Sequence, residues 1–260
     1  MIDYLYQTTD LYLIFILCSL SILTSIIALF FIKRYWPAHL RYQENEVIAS
    51  TSALIIVIFG VLSGFATQYL INNNTFASDA LQREANAVVN LYRDSLGLQD
   101  AYKVQIKKEI NQYINYVLDK DWPLMNKGQT VSDEGGFIID KISADLTHFK
   151  MTSASETQIV GHMLTQLKEL YDARRARIEA SYASLSNEIW IVVITGTILS
   201  LMASYLFGVN FYLHIFIVTA ASLMTASILF LLISLDKPYQ GSYVVGPEVI
   251  QHAQTIINKT

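Results

Sequence analysis

The chain has 260 residues, 53% of them hydrophobic and only 15% charged, where a soluble globular domain carries about a quarter charged residues; this surplus points to a lipid bilayer. The net charge is −4 and neither sign forms a long block, which excludes a nucleic-acid footprint. The lone cysteine, Cys18, excludes an intrachain disulfide framework and a cysteine metal site.

After a short acidic N-terminus (Asp3, Asp10), charge is nearly absent from residues 11–32, 47–71, 189–207 and 211–235. Each stretch is close to the roughly 20 apolar residues that cross a hydrocarbon core, so four spans are predicted. The first is too long for a signal-peptide core and ends in Lys33-Arg34-Tyr35-Trp36, a cationic and aromatic interface anchor. A connector with Pro37, running from Lys33 to Glu46, joins it to the second span. That span is expected to end in the polar break Asn72-Asn73-Asn74-Thr75. An amphipathic helix on Leu81, Ala85, Val88, Val89 and Tyr92 follows and closes near Gly97.

Tyr102, Ile106, Ile110, Tyr113, Ile114 and Val117 define the stripe of the next helix, predicted to stop at Asp121-Trp122-Pro123. Residues 129–136 read as a loop and 137–149 as a weaker helix. Ser153 with Glu156 forms a capping box that opens a long helix. Its inward residues are read as Ile159, Met163, Leu164, Leu167, Leu170, Tyr171, Ile178 and Tyr182, and it is expected to run on into the third span. Gly208-Val209-Asn210 allows only a tight antiparallel turn between spans three and four. The fourth span halts at Leu235-Asp236, and Pro247 suits the first position of a short final helix. No strand pattern emerges, so the fold class is an all-α integral membrane protein. Its four transmembrane helices form two hairpins that flank a helical soluble domain. The expected division is 1–72 for the first hairpin, 73–187 for the soluble domain, 188–235 for the second hairpin and 236–260 for a C-terminal turn and short helix.

Four stretches together resemble the bestrophin-like bacterial membrane family, over most of the chain. They are Glu84-Ala85 with Leu91-Tyr92-Arg93; Tyr113 and Val117 leading to Asp121-Trp122-Pro123-Leu124-Met125 and Gly128; Arg174 and Arg177 ahead of Ile189-Trp190; and the run from Leu235 to Gly241 with Pro247. The resemblance implies architecture first. Bestrophins are oligomeric channels with two membrane hairpins per subunit, helical cytosolic regions and a pore lined chiefly by the second span. The acidic cluster that forms the calcium clasp of animal bestrophins has no counterpart after the fourth span, where only Asp236 and Glu248 stand.

Asp236, at the end of the fourth span, reads either as a helix stop or as one side of a membrane-interface clamp whose basic partner is Arg174 or Arg177. Glu84 reads either as a solvated surface residue or as a group at the inner mouth of a pore, and it stands with Arg174, Arg177 and Asp236 among the membrane-interface clamp candidates. Asp119, Asp121, Asp133 and Glu134 lie close to turns and are expected to face solvent. His148, His162, His214 and His252 lack metal-ligand spacing, no cofactor motif is present, and no catalytic motif supports an enzyme. Within the second span, Gly60 and Gly64, near Ala53 and Thr67, form a small-residue face expected to pack against a neighbouring span. Ile55, Phe59, Leu62 and Ser63 are the pore-lining candidates on the adjacent face.

No Asp, Glu, Lys or Arg lies well inside the spans, which argues against a coupled transporter and suits passive conduction. The expected function is therefore a homo-oligomeric ion channel, a pentamer by the bestrophin likeness, with lipid bilayer and small inorganic ions as partners. The alternative is a non-conducting scaffold or sensor whose soluble domain binds a partner. Lys33, Arg34 and Arg41 favour an external soluble domain, whereas Arg174, Arg175, Arg177, Lys237 and the family likeness favour a cytosolic one at a bacterial inner membrane. The cytosolic placement is the expectation taken forward.

Overall fold

The computed structural model describes residues 10–35, 44–240 and 245–259. Asp3, Trp36, Pro37, Arg41 and Gly241, which figured in the sequence reading, lie outside the described residues. Among the described residues every regular element is helical. In chain order these are α1 (Asp10–Tyr35), α2 (Asn45–Ser95), α3 (Asp100–Tyr116), a π-helical turn (Val117–Asp121), α4 (Trp122–Asn126), α5 (Glu134–Thr147), α6 (Ala154–Ser181), α7 (Asn187–Tyr205), α8 (Phe211–Leu235) and α9 (Glu248–Lys259). Four of them, α1, α2, α7 and α8, are long and apolar enough to cross a membrane.

Besides α5, which starts at Glu134 inside the expected 129–136 loop, three boundaries differ from expectation. The Asn72–Thr75 break is absent, and α2 continues for 51 residues. The side chain of Gln68 donates to Asn72 one turn on at 3.0 Å, while Leu70 and Ala77 on either side are fully buried; packing on both flanks outweighs asparagine's modest helix penalty. The stop at Asp121-Trp122-Pro123 is also absent. The backbone stays helical through the π turn, and Pro123 follows at the second position of α4. Conversely, α6 does not run into the third span; it ends at Ser181, and α7 begins at Asn187.

The chain divides into two compact units. The first takes in the residues up to Asn72 and Ser184–Asp236. Here α1 lies along α8, with the hydroxyls of Ser25 and Ser222 2.6 Å apart and Ser21 donating to the Ser222 carbonyl at 3.2 Å. Small hydroxyl residues of this kind let membrane helices approach closely. Leu29, Tyr205 and Val218 fill the adjoining core. Asn45, at the start of α2, exchanges two hydrogen bonds with the backbone of Gly208, at 2.9 and 2.8 Å. Asn210 caps α8 by accepting from the Leu213 N–H at 2.9 Å.

The second unit comprises Asn73–Ala183 and Lys237–Thr260. Its core joins Leu81, Val88 and Leu91 of α2 to Ile106, Ile110 and Ile114 of α3, Ile142 of α5, and Met163 and Leu167 of α6. Helix α9 adds Ile250, Ala253 and Ile257 to this core. Pro247 stands one residue before the first helical position expected for it, and its carbonyl accepts from the Gln251 N–H at 3.0 Å. At the start of α6, Ser153 Oγ accepts from the Glu156 N–H at 3.1 Å. The return bond of the box is shifted by one residue, since the Glu156 carboxylate takes the backbone N–H of Thr152 at 2.7 Å.

Candidate functional site

Two places concentrate the residues singled out from the sequence, one in each unit. In the first unit, the face of α2 that turns inward is Ser52, Phe59, Ser63, Ala66 and Leu70, all buried. Phe59 lies on Gly196 of α7 so closely that a Cβ there would stand 2.5 Å from the ring. Gly196 is thus the notch that admits this phenylalanine. Gly60 and Gly64, expected to pack against a neighbouring span, have nothing of their own chain within 4 Å of an added Cβ. Aromatic bulk filling a glycine notch gains more dispersion contact than two glycines meeting a flat surface. All four pore-lining candidates, Ile55, Phe59, Leu62 and Ser63, border a 310 Å³ groove between α2 and α7. Leu62 keeps an open face, whereas Phe59 is only 6% exposed. The buried hydroxyl of Ser63 finds no hydrogen-bond partner among the described residues.

In the second unit, Glu84 of α2, Asp121 of the π turn and Arg174 and Arg177 of α6 meet in one buried cluster. Arg177 is completely buried. Its Nε donates to Glu84 Oε2 at 2.5 Å, its Nη2 reaches Glu84 Oε1 at 3.1 Å and Asp121 Oδ2 at 3.0 Å, and its Nη1 lies 2.9 Å from the Met125 sulfur. Arg174 donates to Asp121 Oδ2 and, at 3.2 Å, to the Ser132 carbonyl. The Tyr113 hydroxyl donates to Glu84 Oε1 at 2.5 Å. Two carboxylates face two guanidiniums, so the cluster is neutral, as burial at this depth requires.

The electrostatics follow from this arrangement. Burial works against charge on both arginines, yet Glu84, Tyr113 and Asp121 around Arg177, and Tyr113 and Asp121 around Arg174, hold both guanidiniums above their ordinary value. Burial first and the Glu84 carboxylate second push the Tyr113 phenol well up. Gly135 lets the Arg174 guanidinium pass, since a Cβ there would stand 2.5 Å from its central carbon. Gly128, at φ +66°, turns the chain after α4 in a conformation that side-chain-bearing residues rarely adopt. Nearby, Trp122 and Tyr239 meet edge to face with centroids 5.5 Å apart, and the Tyr239 hydroxyl donates to the Ala77 carbonyl at 3.0 Å.

Three of the four clamp candidates thus come together, with Asp121 in place of the fourth. Asp236 belongs to the other unit, where Oδ1 accepts from the Leu185 N–H at 2.7 Å, between α7 and the end of α8. Glu84 is fully buried, not a solvated surface residue. Asp121, expected to face solvent, is fully buried as well. The sequence did carry a signal for it. The core stripe Met163, Leu167, Leu170 continues with the same three- and four-residue steps to 174 and 177, so two arginines occupy core positions and require buried acids. Leu164, Tyr171 and Tyr182, placed inward by the sequence reading, are 37%, 45% and 53% exposed for the same reason. Among the described residues no group of His, Cys, Asp or Glu is placed to hold a metal ion.

With four membrane-length helices and a buried ionic cluster among its described residues, all of whose regular elements are helical, the chain has the bestrophin fold, as comparison with solved structures shows. One variant of a bacterial bestrophin homologue from Klebsiella pneumoniae superposes with a TM-score of 0.68 at 16% identity, covering 94% of this chain and 96% of that one. A second variant of the same protein gives 0.68 at 15% identity, with 97% of each chain covered. A structure described as a membrane protein gives 0.66 at 15% identity, covering 94% of this chain and 96% of that one. At such identities the likeness is one of fold. The Bestrophin-like domain family matches residues 19–250, and the chain belongs to that family. Comparison with curated proteins finds no match.

Proposed function

We propose that the chain is the subunit of a homo-oligomeric channel that conducts small ions passively, with its spans arranged as two hairpins and its second span along the conduction path. The observation that carries this reading is the outer face of that span. Around Gly60 and Gly64 it is small, uncharged and uncovered by its own chain, which suits either close contact with a second copy or a narrow path. Family membership supplies the class, and the uncharged interior of the spans favours passive conduction over coupled pumping. In this reading the face of Gly60 and Gly64 borders the path, while Leu62, on the opposite side of α2, lines the groove against α7, and Phe59 and Ser63 seat α2 on α7. The second unit lies in the cytosol in this reading, and five copies surround the axis.

Purified protein in liposomes tests the proposal. Flux of an anion or a cation above that of empty vesicles is expected, together with a mass for the detergent-solubilised particle that is a multiple of the chain. No flux across several ions and both orientations, or a monomeric particle, would sink the channel and leave the scaffold or sensor reading. A phosphatase reporter fused at Lys127 is expected to be inactive; activity there would place the second unit outside.

A further inference from the structure

The groove between α2 and α7 continues beyond the pore candidates. A second hollow of 350 Å³ shares Leu62, Val192 and Val193 with the first and ends at Tyr69 and Glu188. Together they form one open, apolar channel on the side of the membrane unit, and the single carboxylate in its lining stands at one end. At 1.5 Å per residue it extends about 16 Å along α7, from Glu188 to Leu199, and about 21 Å along α2, from Ile55 to Tyr69. Its floor is set by Phe59 sinking into the Gly196 notch, which draws the ring below the level of its neighbours.

We propose that this groove seats one acyl chain of a membrane phospholipid whose head group carries an ammonium, the head lying beside Glu188 and Tyr69. Three features select this occupant. A groove of 16–21 Å matches one leaflet and its interface, about half of a roughly 30 Å core plus the head-group edge. A tyrosine hydroxyl and a carboxylate lie at the end where a lipid turns polar, in keeping with aromatic residues at the interface. Glu188 complements an ammonium and repels an anionic head.

The test uses the full-length protein in nanodiscs doped with diazirine-bearing phosphatidylethanolamine, or with phosphatidylglycerol carrying the same chains. A diazirine at the chain terminus is expected to label peptides around Ile55 and Leu199, and one next to the head group those around Tyr69 and Ile189. Labelling by the ethanolamine lipid should exceed that by the glycerol lipid, and Glu188→Gln, a change at an exposed site, should erase a preference of about two- to fivefold. Val192→Trp, which fills the groove, should abolish the labelling while particle size is retained. Labelling spread evenly over all four spans would overturn the proposal, as would equal labelling by the two lipids. So would efficient disulfide formation between copies through Leu199→Cys in a Cys18→Ser background, which would give the groove to a second subunit.

Discussion

Glu84 and Arg177 show how strongly one buried pair can determine local stability. Removing either charge strands the other at a fully buried site. Glu84→Gln or Arg177→Met is therefore expected to destabilise the second unit by about 3–5 kcal/mol, and the double replacement to recover much of that loss. Thermal unfolding followed by helix content, with limited proteolysis to report on the second unit alone, measures both. A pair that costs less than about 1 kcal/mol to break would mean that water reaches the cluster. Tyr113 adds a pH dependence. Its phenol is raised in the folded state, by burial first and by Glu84 second, so its contribution is fully present below the unfolded value of about 10. It is lost as the pH rises from there through the folded value, because the unfolded chain gives up its proton first. Tyr113→Phe should flatten the alkaline limb of the stability profile. An unchanged limb would assign the effect to other groups, Tyr239 first, which burial also raises.

Elements were legible in the sequence where one face met one environment. The four spans, the α3 stripe and the Ser153 cap follow from apolar runs, three- and four-residue spacing and capping chemistry. What was not legible came from contacts between elements. Asn72–Thr75 has the composition of a turn, yet packing on both sides keeps it helical; Pro123 has that of a stop, yet the backbone stays helical through the π turn ahead of it. The faces of the second span could not be read because Gly196, more than 130 residues away, decides which one is buried. These contacts yield two expectations. Gly135→Ala should push the Arg174 guanidinium away from Asp121 and mimic, in part, the loss of that pair, visible as a lowered unfolding temperature that Gly136→Ala, with only an exposed aspartate nearby, does not reproduce. Phe59→Ala should loosen α2 from α7 by about 1–2 kcal/mol, less than the roughly 3–5 of a water-soluble core, since lipid solvates both side chains. Cysteine crosslinking between the two helices would report it, and a gain in conductance with the crosslink intact would restore Phe59 to the path.

For the whole molecule, the second span offers the cleanest discrimination. A Cβ added at Gly60 meets nothing in its own chain, so each Gly60→Trp subunit is expected to keep its fold. If that face borders the path or a neighbouring copy, flux or particle size must change. Normal flux from particles of normal size would turn the face to lipid and remove the second span from the proposed path.

The neutral cluster of Glu84, Asp121, Arg174 and Arg177 also bears on how such a chain can change over generations. Four codons spread over nearly a hundred positions are tied to one electrostatic condition, and a first step at any one of them leaves a charge stranded. Sequences descending from a common ancestor are then expected to keep all four or to exchange them as a set, with intermediates rare, while exposed positions on the same helices drift. A lineage holding both Arg174 and Arg177 of α6 without either acid, and folding normally, would show that this inheritance is looser than the burial implies.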